Sequence, residues 1–89
     1  FPFPGPAERV EIWRRAFPKQ MPTDTLDLAA LSEISLTGGS IANIAVNAAF
    51  LAAAQQRGLD MDLVLRAVRS ELRKQGRPAF EAEPKRGSR

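Results

Sequence analysis

Three times in 89 residues the chain uses one helix-start device, a leucine immediately before a capping residue with a second apolar residue five positions on. Leu26 precedes Asp27 and looks toward Leu31, Leu36 precedes Thr37 and looks toward Ile41, and Leu59 precedes Asp60 and looks toward Val64. In such a hydrophobic staple the cap oxygen accepts an otherwise orphaned N–H, while the two apolar side chains fix the angle at which the chain enters the helix. No segment alternates apolar and polar residues with a period of two, which argues against strands. The expectation is an all-α bundle of four helices behind an extended, proline-rich N-terminal connector.

The chain opens FPFPGP, with residues 1–5 as the connector and Pro6 as the first helical residue. Its prolines at 2, 4 and 6 hold the chain extended and block any earlier helix. Gly5 is expected to cap the first helix, with Pro6 at the first helical position, where a missing N–H costs nothing, and Pro18 ends it after about Phe17. Val10, Trp13 and Phe17 form its expected buried stripe. Ile12 and Ala16, four apart, lie on a second stripe and should face something other than the main core. The helix after Asp27 is short. The helix after Thr37 is long, apolar at 41, 44, 45, 48, 51 and 52, with Val46, Ala49 and Phe50 widening the stripe most of the way round, so it is expected to be central and to run to Gly58. The last helix, about Met61 to Gln75, should turn Met61, Val64, Leu65, Val68 and Leu72 inward before Gly76 and Pro78 close it. The helical domain is thus residues 6–78, and the tail, residues 79–89, is expected to be disordered apart from a docked Phe80.

Composition limits the chemistry. The length allows one small domain, and a domain of this size hides only about 60% of the surface its unfolded chain exposes. The chain has neither cysteine nor histidine, which removes disulfides, thiolate nucleophiles, zinc fingers and imidazole acid–base chemistry together. The chain begins at Phe1 with no leader pattern, and the expectation is that it works as part of something larger. Its net charge of +3 is unevenly spread: residues 66–89 hold eight basic and three acidic residues, leaving the first 65 residues net acidic. Clustered Lys and Arg are an electrostatic footprint of phosphate binding, but such runs also serve simply to solvate a helix face. A membrane span is not expected, because the longest apolar stretch, Ile41 to Ala54, falls short of about 20 residues and contains Asn43 and Asn47.

The unusual local feature is Thr37-Gly38-Gly39-Ser40, a cap followed by two glycines in the first turn of the most apolar helix. Glycine costs about 1 kcal/mol against alanine in a helix interior and somewhat less in the first turn. Either the glycines let a neighbouring helix pack closely, or they leave bare N–H groups against a ligand such as a nucleotide. The pair is not a Walker A loop, since no GxxxxGK[ST] occurs in the chain, so nothing here cradles a triphosphate by itself.

In order and spacing, FPFPGPAERVEIWRRAFP, the L-D-L-x-x-L run from Leu26 to Leu31, LTGGSIANIAVNAAFLAA and the closing ELRKQGRP resemble the C-terminal helical lid subdomain of AAA+ ATPases. The resemblance covers about Phe1 to Pro78. In that family a proline-rich connector leads into an Arg-x-x-Ile helix, and a Gly-Ala or Gly-Gly pair opens the third lid helix, the region called sensor 2. The GG-x-I-x-N-x-A pattern from Gly38 to Ala45 and the E-x-x-K-x-GRP ending from Glu71 to Pro78 are similar to those of bacterial AAA-family ATPases found with phage-tail-like contractile injection systems. The resemblance implies that Ile12 packs on the adenine base and that the Gly38 and Gly39 backbone lies along base and ribose. It implies ATP and Mg as cofactors of the parent protein, held by the large subdomain rather than by this chain. It also implies that this chain alone is not catalytic, that its partners are its own large subdomain and the neighbouring subunit of a ring, a hexamer, and that it is cytoplasmic. The family's histidine near the ribose falls at Ala16, so that contact is missing. Many other lids carry an arginine after the glycine pair to reach the γ-phosphate, where this chain has Ser40. Asn43 and Asn47 read as solvated or capping residues, and Arg14 and Arg15 as surface charges near Glu8 and Glu11. The rival readings are a small basic helical module binding nucleic acid through Arg66 to Lys74, and a protein-docking bundle. No aromatic residue interleaves with those cations to stack on bases, so nucleic acid is the less expected partner.

Overall fold

The computed structural model describes residues 4–19, 21, 23 and 26–78, and their architecture is an all-α bundle of four helices. Helix α1 spans Pro6–Ala16, α2 Leu28–Leu31, α3 Gly38–Ala54 and α4 Met61–Lys74. The extended stretch at 1–3, the tail from 79 and the docking of Phe80 lie outside the described residues.

The capping chemistry read from the sequence is present at every start. Asp27 Oδ1 accepts from Ala30 N at 3.0 Å, Thr37 Oγ1 from Ser40 N at 3.1 Å, and Asp60 Oδ1 from Leu63 N at 2.9 Å. At α1 the cap is Gly5, which has no side chain to offer, and Glu8 reaches back to accept from Gly5 N at 2.7 Å. The staple residues Leu36, Ile41, Leu59, Val64 and Leu31 are buried and Leu26 packs against the same core. No described helix is long and apolar enough to cross a membrane.

Helix α3 is the hub. It packs against both α1 and α4, while α2 packs against α1. Its buried side chains include Ile41 and Ile44 and the small Ala45, Ala48 and Ala52. Trp13 from α1 is wholly buried and stacks on Phe17, ring centroids 5.9 Å apart at an interplanar angle of 22°.

Several faces differ from the sequence expectation. On α1, Arg9 is buried and Val10 only half-buried. Arg9 takes the inward position because its guanidinium finds carbonyls there: Nε donates to Ser32 O at 2.5 Å and Nη1 donates to Pro4 O. One cation therefore ties the connector and α1 to the turn after α2. Ile12 and Ala16 do not turn away from the core but are half-buried at its edge. On α3, Val46 and Phe50 do not extend the buried stripe; they are exposed, and Ala49 is half-buried. On α4, Met61 and Leu65 are only half-buried, and the row Leu63, Ala67 and Glu71 is buried in their place.

The end of α3 also differs. It stops at Ala54, four residues short of Gly58, because Gln56 rather than the glycine adopts the left-handed conformation, with φ 54°. Gln56 N then donates to Ala53 O at 3.1 Å and Arg57 N to Ala52 O at 3.0 Å, the paired bonds of a Schellman cap. Helix α4 ends in the same way around Gly76 at φ 73°, with Arg77 N donating to Leu72 O at 2.9 Å.

A left-handed residue other than glycine is disfavoured by roughly 1–2 kcal/mol, part of which glycine's greater chain entropy offsets. Gln56→Gly should therefore stabilise the fold by about 0.5–1 kcal/mol, raising the melting temperature by a few degrees. A fall in melting temperature would show that the Gln56 side chain contributes more than its backbone costs. Arg9→Met, which keeps the apolar stem and strands two carbonyls, should cost about 2–3 kcal/mol in urea unfolding. Arg9→Lys should recover less than half of that, because an ammonium does not reproduce the guanidinium's planar fork of donors.

Candidate functional site

Two segments far apart in the chain meet where α1 passes the start of α3. A Cβ added to Gly38 would lie 3.9 Å from Ile12 Cδ1, an ordinary van der Waals separation, so the aliphatic side chain flanks the bare backbone. A Cβ added to Gly39 would meet nothing within 4 Å. Of the three residues singled out in the sequence, Ile12 and Gly38 are half-buried, and Gly39 faces solvent. They form one patch: an apolar edge, then exposed glycine backbone at a helix start.

This geometry bears on the packing reading of the glycine pair within the chain. Close packing would put neighbouring atoms where a Cβ would go, and at neither glycine does an atom stand closer than ordinary contact. The described part of the molecule therefore does not need glycine at 38 or 39 for packing. The amides are open as well. Thr37 Oγ1 takes Ser40 N and Thr37 O takes Ile41 N, while Gly38 N and Gly39 N have no hydrogen-bond partner among the described residues. Unpaired N–H groups are normal in a first turn, where they carry the positive end of the helix dipole. Here no side chain at 38 or 39 shields them.

Ser40 has a different task from an arginine at its position. It is buried, and its Oγ accepts from Thr37 Oγ1 at 3.1 Å and from Gln75 Nε2 at 2.8 Å. Gln75 Nε2 is also 3.2 Å from Glu71 Oε2, and Lys74 Nζ lies 3.1 Å from Glu71 Oε1. The contact to Lys74 satisfies an ion-pair distance but not hydrogen-bond geometry, since Glu71 Oε1 has no hydrogen-bond partner. A polar network with Ser40 and Glu71 buried and Gln75 exposed thus fastens the start of α3 to the end of α4. Sequence reasoning missed it because Glu71 and Gln75 read as surface residues of a charged helix; the signal was their spacing of four, which aligns them on one face.

The remaining polar candidates are peripheral. Asn43 is exposed and Asn47 half-buried. Arg14 pairs with Glu11, Arg66 with Asp62 at 3.2 Å and Lys74 with Glu71, so the basic stretch is partly neutralised by its own helices. Among the described residues no cluster of carboxylates could hold a metal ion.

Comparison with protein-family models, with curated proteins and with solved structures finds no match to the chain.

With nothing over Gly39, Gly39→Ala should stabilise the chain by a few tenths of a kcal/mol, up to about 1, by removing glycine's entropic cost. Gly38→Ala should be close to neutral, the new methyl making ordinary contact with Ile12. Thermal unfolding checks both; a loss above about 0.5 kcal/mol at Gly39 would show that the helix start needs glycine for the fold itself.

Proposed function

We propose that the chain is the C-terminal helical lid subdomain of an AAA+ ATPase, with Ile12 against the adenine and the Gly38–Gly39 backbone along the base and ribose. The observation that carries the reading is the open space over Gly39, next in the chain to Gly38, which Ile12 of another helix flanks. Two glycines that packing within the chain does not require, next to exposed amides, are accounted for by a surface that comes up against them from outside. The order of connector, Arg-x-x-Ile helix, short helix and glycine-started helix supports the same assignment.

The residues fit one side of a base and sugar and no more. Ser40, the position at which many lids carry a phosphate-reaching arginine, has its hydroxyl committed to Gln75. Triphosphate and magnesium are therefore assigned to the large subdomain of the parent ATPase, whose phosphate loop and acidic residues supply the hydrolytic chemistry. What this chain contributes is apolar contact, bare backbone and a rigid lever. Arg9 links Pro4 O to the helix that carries Ile12, so a change in the connector's angle is passed directly to α1. On this reading the lid moves as one body about residues 1–5, closing on the nucleotide and shifting its contact with the next subunit of a cytoplasmic ring, a hexamer.

Gly39→Val tests the reading. In the intact ATPase the branched side chain would stand where adenosine approaches, and nucleotide affinity should fall tenfold or more, about 1.4 kcal/mol. The 89-residue chain with the same change should remain folded by circular dichroism, because its Cβ meets nothing. Unchanged nucleotide affinity in a folded parent variant would remove Gly39 from the site.

A further inference from the structure

Helix α3 leaves two large apolar side chains in solvent, Phe50 at 70% and Val46 at 54% exposure. Between them and the end of α1 runs a groove of about 320 Å³ lined by Ala16, Pro18, Val46, Ala49, Phe50 and Ala53, without a polar side chain. Scattered single apolar residues need no explanation, but a concave apolar strip marks a contact surface. The groove's charge surroundings are one-sided. Pro18 also borders a neighbouring cleft that presents Arg14, Arg15 and Lys19, and the cleft on the other flank of Phe50 presents Arg66. Among the described residues no carboxylate lines any of the three clefts, and α3 itself has no charged residue. Arg14 and Arg66 are paired within their helices, whereas Arg15 and Lys19 make no ion pair among the described residues.

We propose that this surface binds an acidic amphipathic helix of a partner protein, its apolar side chains entering the groove beside Phe50 and its carboxylates meeting Arg15 and Lys19. Helices that dock in grooves present apolar residues at spacings of three and four, which suits a strip made by Val46, Phe50 and Ala53 on one side and Ala16 and Pro18 on the other. Arg15 and Lys19, without an ion pair among the described residues, favour an acidic flank and disfavour a basic one. A second copy of the chain meeting this surface face to face is a poorer occupant, because it brings the same cations and, among the described residues, no carboxylate that lines these clefts. A lipid surface is poorer too, since binding to an anionic membrane calls for Lys and Arg flanking the apolar face of the helix itself, and α3 has none. The proposal uses none of Ile12, Gly38 or Gly39 and stands apart from the nucleotide reading.

The test uses the 89-residue chain and three fluorescein-labelled model helices of about 18 residues. One carries leucines at i, i+4 and i+7 with glutamates flanking them, the second has lysine for each glutamate, and the third has the first one's composition with the leucines scattered. Fluorescence anisotropy at about 50 mM salt should show the glutamate helix binding at least about tenfold more tightly than either control, and weakening several-fold at about 500 mM salt. Phe50→Ser, and separately the double change Arg15→Glu with Lys19→Glu, should each weaken it by about tenfold or more. All three side chains are exposed, so circular dichroism should be unchanged. Failure of the glutamate helix to bind, equal binding of the lysine helix, or indifference to Phe50→Ser would overturn the proposal. So would self-association or anionic-vesicle binding that depends on Phe50 and that the glutamate helix does not displace; these would assign the face to a second copy or to a membrane surface.

Discussion

The bundle depends on how closely two helices can approach α3. Ala45, Ala48 and Ala52 are fully buried on it, flanked by Ile41 and Ile44, so its inward side is built largely from single methyl groups. Small side chains at a helix contact let helix axes approach closely, and α3 is the element that packs against both α1 and α4. The larger volume comes from outside: Trp13 and Phe17 from α1, Leu63, Val64, Val68 and Leu72 from α4, and Leu31, Ile34 and Leu36 from the segment between α2 and α3. A larger residue at Ala48 would have to push one of these helices away, and overpacking of that kind typically costs about 1–3 kcal/mol. The position of Ile12 beside Gly38, and with it the candidate site, rests on the same close approach of α1 to α3.

Helix existence was legible because capping is local chemistry. An Asp or Thr side chain that accepts an N–H three residues on needs no knowledge of the rest of the chain, and all three caps formed where the sequence put them. Facing is not local, and there the sequence misled. Helix α3 carries alanine at 42, 45, 48, 49, 52, 53 and 54, on all sides, so its pattern has little contrast and Val46 and Phe50 looked like part of a wide buried stripe. What turns them outward is the supply of partners: α1 and α4 cover one side of α3, and no described element covers the other. The same lack of contrast explains α4, where Met61 and Leu65 suggested a face that Leu63 and Ala67 in fact hold. The end of α3 was misplaced because glycine's preference for left-handed backbone points to Gly58, whereas Gln56 adopts that conformation and closes the helix with the backbone bonds of a Schellman cap.

The candidate site was half legible. Gly38 and Gly39 drew notice because two glycines weaken a helix start, and Ile12 because it lay off the predicted stripe; their juxtaposition across α1 and α3 needed the fold. Arg9 was visible only as one letter of an Arg-x-x-Ile pattern. Nothing in the spacing says that an arginine without a carboxylate will be buried on two carbonyls, because the acceptors, Pro4 O and Ser32 O, are backbone atoms brought together by the path of the chain. The Ser40–Gln75–Glu71 network was hidden for the same reason: its members are 35 and 31 residues apart from Ser40, and each alone has an ordinary surface reading.

The exposed side of α3 joins the two surfaces. Gly39, Asn43, Val46 and Phe50 recur at spacings of three and four, so they lie along one face of a single helix that contains no proline. At a rise of about 1.5 Å per residue, Gly39 and Phe50 stand about 16 Å apart on that face. A helix fastened at its start by the Ser40 network and along its inward side by the alanine seam tilts as a unit rather than bending. A tilt of about 10° about the Gly39 end would carry Phe50 by about 3 Å, comparable to half a helical turn of side-chain register. Whatever contacts the bare backbone at one end would therefore move together with whatever fills the groove at the other, as the bundle moves as one body.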